Sequence, residues 1–152
     1  MQLSEMLTPE TVRARASAAS WEEAARAAGE LLVAAGSVEP RYVEAMMNVL
    51  REMGPYAVIA PGIVLLHARP EDGVLRPCLA LVTLSTPVPF GHRENDPVDL
   101  VLALGAVDKH AHVAALQEMA LLLGDDAALR RIRAAESDRD LLLAVRSQEP
   151  AA

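Results

Sequence analysis

The sequence predicts one β-sheet with helices packed on it, in the α/β or α+β class and within a single domain. Three observations lead there. Amphipathic segments open and close the chain, while strand-like aliphatic runs fill its middle. A chain of 152 residues has single-domain length and can bury a real core. With 52% hydrophobic residues and only Trp21, Tyr42, Tyr56 and Phe90 as aromatics, that core must be packed largely with Ala, Leu and Val.

After a short N-terminal segment, read as at most a further turn of helix, "SWEEAARAAGELLVAAG" sets Ser20 at an N-cap. Glu23 follows three residues later, a capping-box pattern, and Gly36 stops the helix. In "EPRYVEAMMNVLREMGP", Pro40 occupies the first turn, and Val43, Met46, Met47 and Leu50 recur at helical spacing before Gly54-Pro55. "YAVIAPGIVLLHA" then holds two β-branched runs broken by Pro61-Gly62, a pair suited to a tight turn. "RPEDGV" is a second turn. "CLALVTLSTPVPF" is apolar enough for a strand covered on both faces, and Val98 to Val107 reads as another. Helices return with Asp108 capping "KHAHVAALQEMALLL". Gly124 and Asp125 punctuate before "DAALRRIRAA", and Ser137 with Asp140 caps "RDLLLAV". The domain spans 1–147, and 148–152 form a disordered tail.

The net charge of −7 argues against nucleic acid, which needs clustered cations. The one basic cluster, Arg130, Arg131 and Arg133, reads as a solvated helix face. One cysteine, Cys78, excludes an intrachain disulfide framework and fits a reducing cytoplasm; inside "CLALVTL" it reads as a packed small hydrophobe. The start "MQLSEML" lacks the basic and apolar regions of a signal peptide. The longest nearly apolar stretch, Ala57 to Leu66, is ten residues and too short for a membrane span. A soluble, cytoplasmic protein with no direct membrane insertion is expected.

Four histidines hold the candidate chemistry: His67, His92, His110 and His112. An imidazole with a pKa near 6.5 offers a neutral nucleophilic nitrogen at physiological pH. His110 and His112 are two apart, so on a helix they diverge and make a poor metal pair. His112 falls in the opening turn of its helix, on a stripe with Leu116, Met119 and Leu123, where the helix dipole favours a neutral ring and attracts an anion. Its blander reading is a core-edge histidine bonded to backbone. His67 ends the run Ile63 to Leu66, where a strand leaves its sheet beside Arg69, and strand ends are where α/β folds place chemistry. A phosphoryl group there needs donors, which His67, His112 and Arg69 supply if the two elements are neighbours. Gly62 and Ala68 are read as small residues leaving room for a partner's approach. No GxSxG, Walker-type or GxGxxG pattern occurs.

"GPYAVIAPGIVLLHARPEDGV" closely resembles the active-site segment of enzyme IIA components of the phosphoenolpyruvate-dependent sugar phosphotransferase system, in the mannitol/fructose superfamily. "WEEAARAAGELLVAAGSVEPRYVEAM" and "LALVTLSTPVPFGHRENDPVDLVLALGAVDKHAHVAAL" agree in order and spacing, so the resemblance covers roughly Leu3 to Val145. The ascorbate-type branch is the most similar. The resemblance implies an α/β fold, a mixed sheet flanked by helices on its faces, and a phosphotransferase working through a phosphohistidine. His67 matches the histidine that takes the phosphoryl group from the phosphocarrier HPr and passes it to a cysteine of enzyme IIB, and through it to the membrane enzyme IIC. His112 matches the second histidine, which hydrogen-bonds that group. No metal or organic cofactor is implied, and a homodimer stays open. Two positions depart from the family pattern. Leu66 stands where proline usually precedes the active histidine, and a loss of rigidity at His67 is expected. Val49 stands where the mannitol-type branch has an arginine that the ascorbate-type branch also lacks.

Two other readings remain beside the transport relay. A regulatory enzyme IIA-like phosphoprotein would keep the fold and signal to a non-transport partner. A metal-dependent hydrolase would use His67, His92 and His112.

Overall fold

The computed structural model describes residues 3–146. One helical turn, α1 (Leu3–Met6), precedes strand β1 (Val12–Ala16). The helices α2 (Trp21–Ala34) and α3 (Arg41–Met53) follow. The strands β2 (Val58–Ala60), β3 (Ile63–His67), β4 (Cys78–Val88) and β5 (Val98–Gly105) come next. The helices α4 (Lys109–Leu123), α5 (Asp126–Ala134) and α6 (Asp138–Arg146) close the chain. The expected tail over 148–152 lies outside the described residues.

The helix boundaries arise from local chemistry. Ser20 Oγ accepts from the Glu23 amide at 3.2 Å, satisfying one orphan donor of α2, and the Glu23 carboxylate accepts from the Ala19 amide just before the cap. Asp108 and Asp125 accept from the third amide beyond them at 2.8 and 3.1 Å, and Ser137 Oγ accepts from Asp140 N at 3.1 Å. Pro40 is the N-cap of α3, and Gly54, at φ +83°, ends it.

The five strands form one mixed sheet in the order β1-β4-β5-β3-β2. β1 runs parallel to β4 and β3 parallel to β5, whereas β4–β5 and β2–β3 are antiparallel. Side-chain alternation splits the core into two layers. Val64, Leu66, Ala80, Val82, Val101 and Ala103 face α2 and α3, where the small Ala24, Ala25 and Ala28 allow close approach. Ile63, Leu65, Leu79, Leu81, Leu100, Leu102 and Leu104 face α4, α5 and α6. Each fully buried leucine contributes roughly 1.5–3 kcal/mol. Among the described residues no helix is long and apolar enough to cross a membrane.

Three expectations change. The segment before α2 is an edge strand as well as a helical turn. The buried stripe of α4 runs through Ala115, Met119 and Leu122, with Leu116 and Leu123 at its margin, so it is turned by one position. Arg133 leaves the solvated face, donating from Nε to both Asp99 carboxylate oxygens at 3.1 Å and from a terminal nitrogen to Pro61 O at 3.1 Å.

Candidate active site

The parallel pairing of β3 with β5 assembles the site. Its register sets Ile63 opposite Leu100 and His67 opposite Leu104. His67 has the parity of Ile63 and Leu65, so its side chain emerges on the face covered by α4. The fifteen-residue α4 begins just after β5 and is capped by Asp108, which brings His112 in its first turn above that strand end. The two imidazoles face each other with ring centroids 5.2 Å apart and planes tilted by 45°. Sequence spacing left the adjacency of these elements to topology, and the topology supplies it.

His67 is half-buried. Its Nδ1 lies 3.4 Å from Leu65 O, so the tautomer with the proton on Nδ1 is the one the backbone accepts, and Nε2 keeps its lone pair. Burial lowers the His67 pKa, the Leu65 carbonyl opposes this, and the neighbouring His112 lowers it further. The ring is therefore neutral at physiological pH. An open cleft of about 300 Å³ lies over the pair, with Val49, Ala68, Pro70 and Lys109 among its walls. Arg69 is at the rim, with a side chain 78% exposed and two carboxylates near its Nε: Glu71 at 3.7 Å and Asp72 at 3.6 Å. A neutral nucleophilic nitrogen, a second imidazole, a helix N-terminus and two cations facing one cleft suit the transfer of a small dianionic group.

The sequence profile described as "Phosphoenolpyruvate-dependent sugar phosphotransferase system, EIIA 2" matches residues 5–147. The chain belongs to that family. It is a phosphotransfer component of the system. An ascorbate-specific PTS system EIIA component of Salmonella typhi is 41% identical over 133 residues, covering 87% of this chain and 86% of the relative. The solution structure of the mannitol-specific cryptic enzyme IIA CmtB from Escherichia coli superposes with a TM-score of 0.86 at 29% identity, covering 95% of this chain and 98% of that one. The Escherichia coli complex of enzyme IIA and phosphorylated enzyme IIB for mannitol aligns with a TM-score of 0.78 at 30% identity, covering 93% and 98%. The mixed sheet flanked by helices is thus the fold of this EIIA family, as the resemblance implied.

Other sequence-level candidates lie elsewhere in this EIIA chain. Gly62 is not beside His67: it precedes β3 at the far end of the strand, about 16 Å away at the usual rise per residue. Its φ of +76° makes the β2–β3 turn, and a Cβ there would come within 2.8 Å of Arg133 and 2.9 Å of Asp99. It therefore shapes a turn and is too far from the cleft to make room there for a partner. His92 also occupies the far end, in the β4–β5 loop, where its Nδ1 accepts from Glu94 N at 3.2 Å and Asn95 N at 3.0 Å. It cannot join His67 and His112, and among the described residues no group of three or more His, Cys, Asp or Glu converges on a metal position. His110 is exposed. Cys78 is buried opposite Gly105, and burial pushes its thiol up to about 11, which keeps it protonated.

Sequence reasoning missed two residues. Lys109 opens α4 on the cleft wall. Tyr42, fully buried on α3, accepts from Ala68 N at 2.9 Å and donates to Leu104 O at 2.7 Å. A signal for it existed: a tyrosine on an otherwise apolar stripe must find a partner for its hydroxyl.

Proposed function

We propose that His67 Nε2 accepts a phosphoryl group from phosphorylated HPr and passes it to a cysteine of enzyme IIB, in a transport system for ascorbate or a related sugar acid. The observation that carries this reading is the facing pair of imidazoles at the mouth of the cleft, one of them anchored through Nδ1. The name of the Salmonella relative supports the substrate class, and the mannitol complex supports the IIB partner.

In the first step the Nε2 lone pair attacks phosphorus in line. The donor's N–P bond breaks and its electron pair stays on the donor nitrogen. The group brings close to two negative charges into the cleft. A His112 N–H, the N-terminus of α4, Lys109 and Arg69 are the donors available to it. Depressing the His67 pKa keeps the attacking nitrogen unprotonated, and the Nδ1–H bond to Leu65 O holds the ring's direction. In the second step a IIB thiolate attacks the same phosphorus. The Nε2–P bond breaks and the neutral imidazole returns. Catalysis is positioning and charge neutralisation, with no proton abstracted from the nucleophile.

Incubation with enzyme I, HPr and phosphoenolpyruvate tests the assignment. The wild-type chain should gain one acid-labile phosphate, and His67→Ala should gain none. Label on the His67→Ala protein would refute it.

A further inference from the structure

Tyr42 occupies a telling position in the sheet. In a parallel ladder, alternate residues of one strand make the bonds to its neighbour. Gly62 O accepts from Leu100 N at 3.0 Å, which makes 62, 64, 66 and 68 the bonding positions along β3. The next regular rung would be the Ala68 amide donating directly to Leu104 O. Instead the Tyr42 hydroxyl sits between them, accepting from the first at 2.9 Å and donating to the second at 2.7 Å. The hydroxyl thus bridges β3 and β5 at the rung just beyond His67, which the ladder pairs with Leu104. His67 travels with β3, whereas His112 travels with α4, which is joined to the end of β5.

We infer that Tyr42 is a positioning residue for phosphoryl transfer, its hydroxyl acting as the spacer that sets the separation of His67 from His112. This rests on His67 being the phosphoryl acceptor. Burial pushes the phenol up to about 12, so the hydroxyl keeps its proton, and with it both bonds, across the working pH range. In Tyr42→Phe the rung either closes directly, drawing His67 towards the sheet, or loses its fixed width. Both outcomes move one ring relative to the other, and misplacements of about an ångström slow enzymes up to a hundredfold.

The test compares Tyr42→Phe with Val43→Ala, which truncates the next residue of α3 where it packs against Gly29 and makes no bond to the rung. Single-turnover transfer from phosphorylated HPr is followed in both variants and the wild type. Tyr42→Phe should lose at least about tenfold in the rate at saturating HPr while KM stays unchanged. The nuclear magnetic resonance titration of His67 should also move. Val43→Ala, though destabilised, should transfer within about twofold of the wild type. A wild-type rate in Tyr42→Phe, or an equal loss in Val43→Ala, overturns the spacer role. If the wild type itself takes no phosphate on His67, it is the relay assignment that fails. Should Tyr42→Phe not fold, hydrogen exchange of the wild type decides: the spacer requires Ala68 N–H to be protected like the β3 amides, and loop-like exchange there contradicts it.

Discussion

The two ends of β3 treat polar groups in opposite ways. At the turn end, polar groups are bonded to one another. His92 Nδ1 receives two amides, the Asp96 carboxylate receives Phe90 N at 2.9 Å and Gly91 N at 2.8 Å, and Arg133 is locked between Asp99 and Pro61 O. At the cleft end, His67 has one long bond through Nδ1, and its ring faces that of His112 with centroids 5.2 Å apart. The same residue type is therefore mortar at one end and an available nucleophile at the other. What distinguishes them is whether neighbouring amides have already taken the lone pair.

The largest effect expected from breaking this contrast is at His67. His67→Ala should abolish phosphate uptake, whereas His92→Ala should label normally and cost only about 1 kcal/mol of stability from its two unmet loop amides. Parallel labelling and denaturant titration separate the two. Next comes His112→Ala, which should slow transfer by about a hundredfold by removing a donor to the transition state, with the unfolding midpoint little changed. Rapid-quench kinetics measures this, and an unaltered rate would show the second ring to be idle.

Gly62→Ala should produce the converse result at the turn end. An alanine at φ +76° that also crowds Arg133 and Asp99 should cost about 2 kcal/mol. Phosphate uptake below the melting temperature should persist, because the proposed acceptor, His67, lies at the other end of the strand. The smallest effect is that of pH. Since burial holds the folded-state pKa of His67 below 6.5, the unfolded chain binds the proton first as pH falls. The stability linked to this ring is whole above pH 6.5 and declines as pH drops from there to the lowered value. Urea midpoints at about pH 7.5 and about pH 5.5 should show the wild type losing more than His67→Gln. Equal losses would mean that the ring is not desolvated.

Much of this contrast was legible in the chain. The runs at Ile63–His67, Cys78–Val88 and Val98–Gly105 announced buried strands, and Ser20, Asp108 and Ser137 announced helix starts through side-chain caps that act within a few residues, whereas Asp125 read only as punctuation. β1 was not legible. "VRARA" is five residues with arginine at alternate places, Arg15 sits at φ +53° at a break in register, and Ala14 N is bonded to Asp138 124 residues away. Its strand character comes from partners that no local window contains. The same holds for Tyr42 and Gly62: the helical spacing named Val43, Met46, Met47 and Leu50 but not Tyr42, and Pro61-Gly62 marked a turn. Only the strand order β1-β4-β5-β3-β2 decides which of them lies beside His67.

Locating the phosphate atom by atom tests the account most directly. The chain is labelled through phosphoenolpyruvate, enzyme I and HPr, cleaved, and its phosphohistidine assigned by mass spectrometry and by nitrogen-resolved magnetic resonance. The geometry predicts a single phosphate on Nε2 of His67. A phosphate on Nδ1 of that ring, or on His92, His110 or His112, would contradict it.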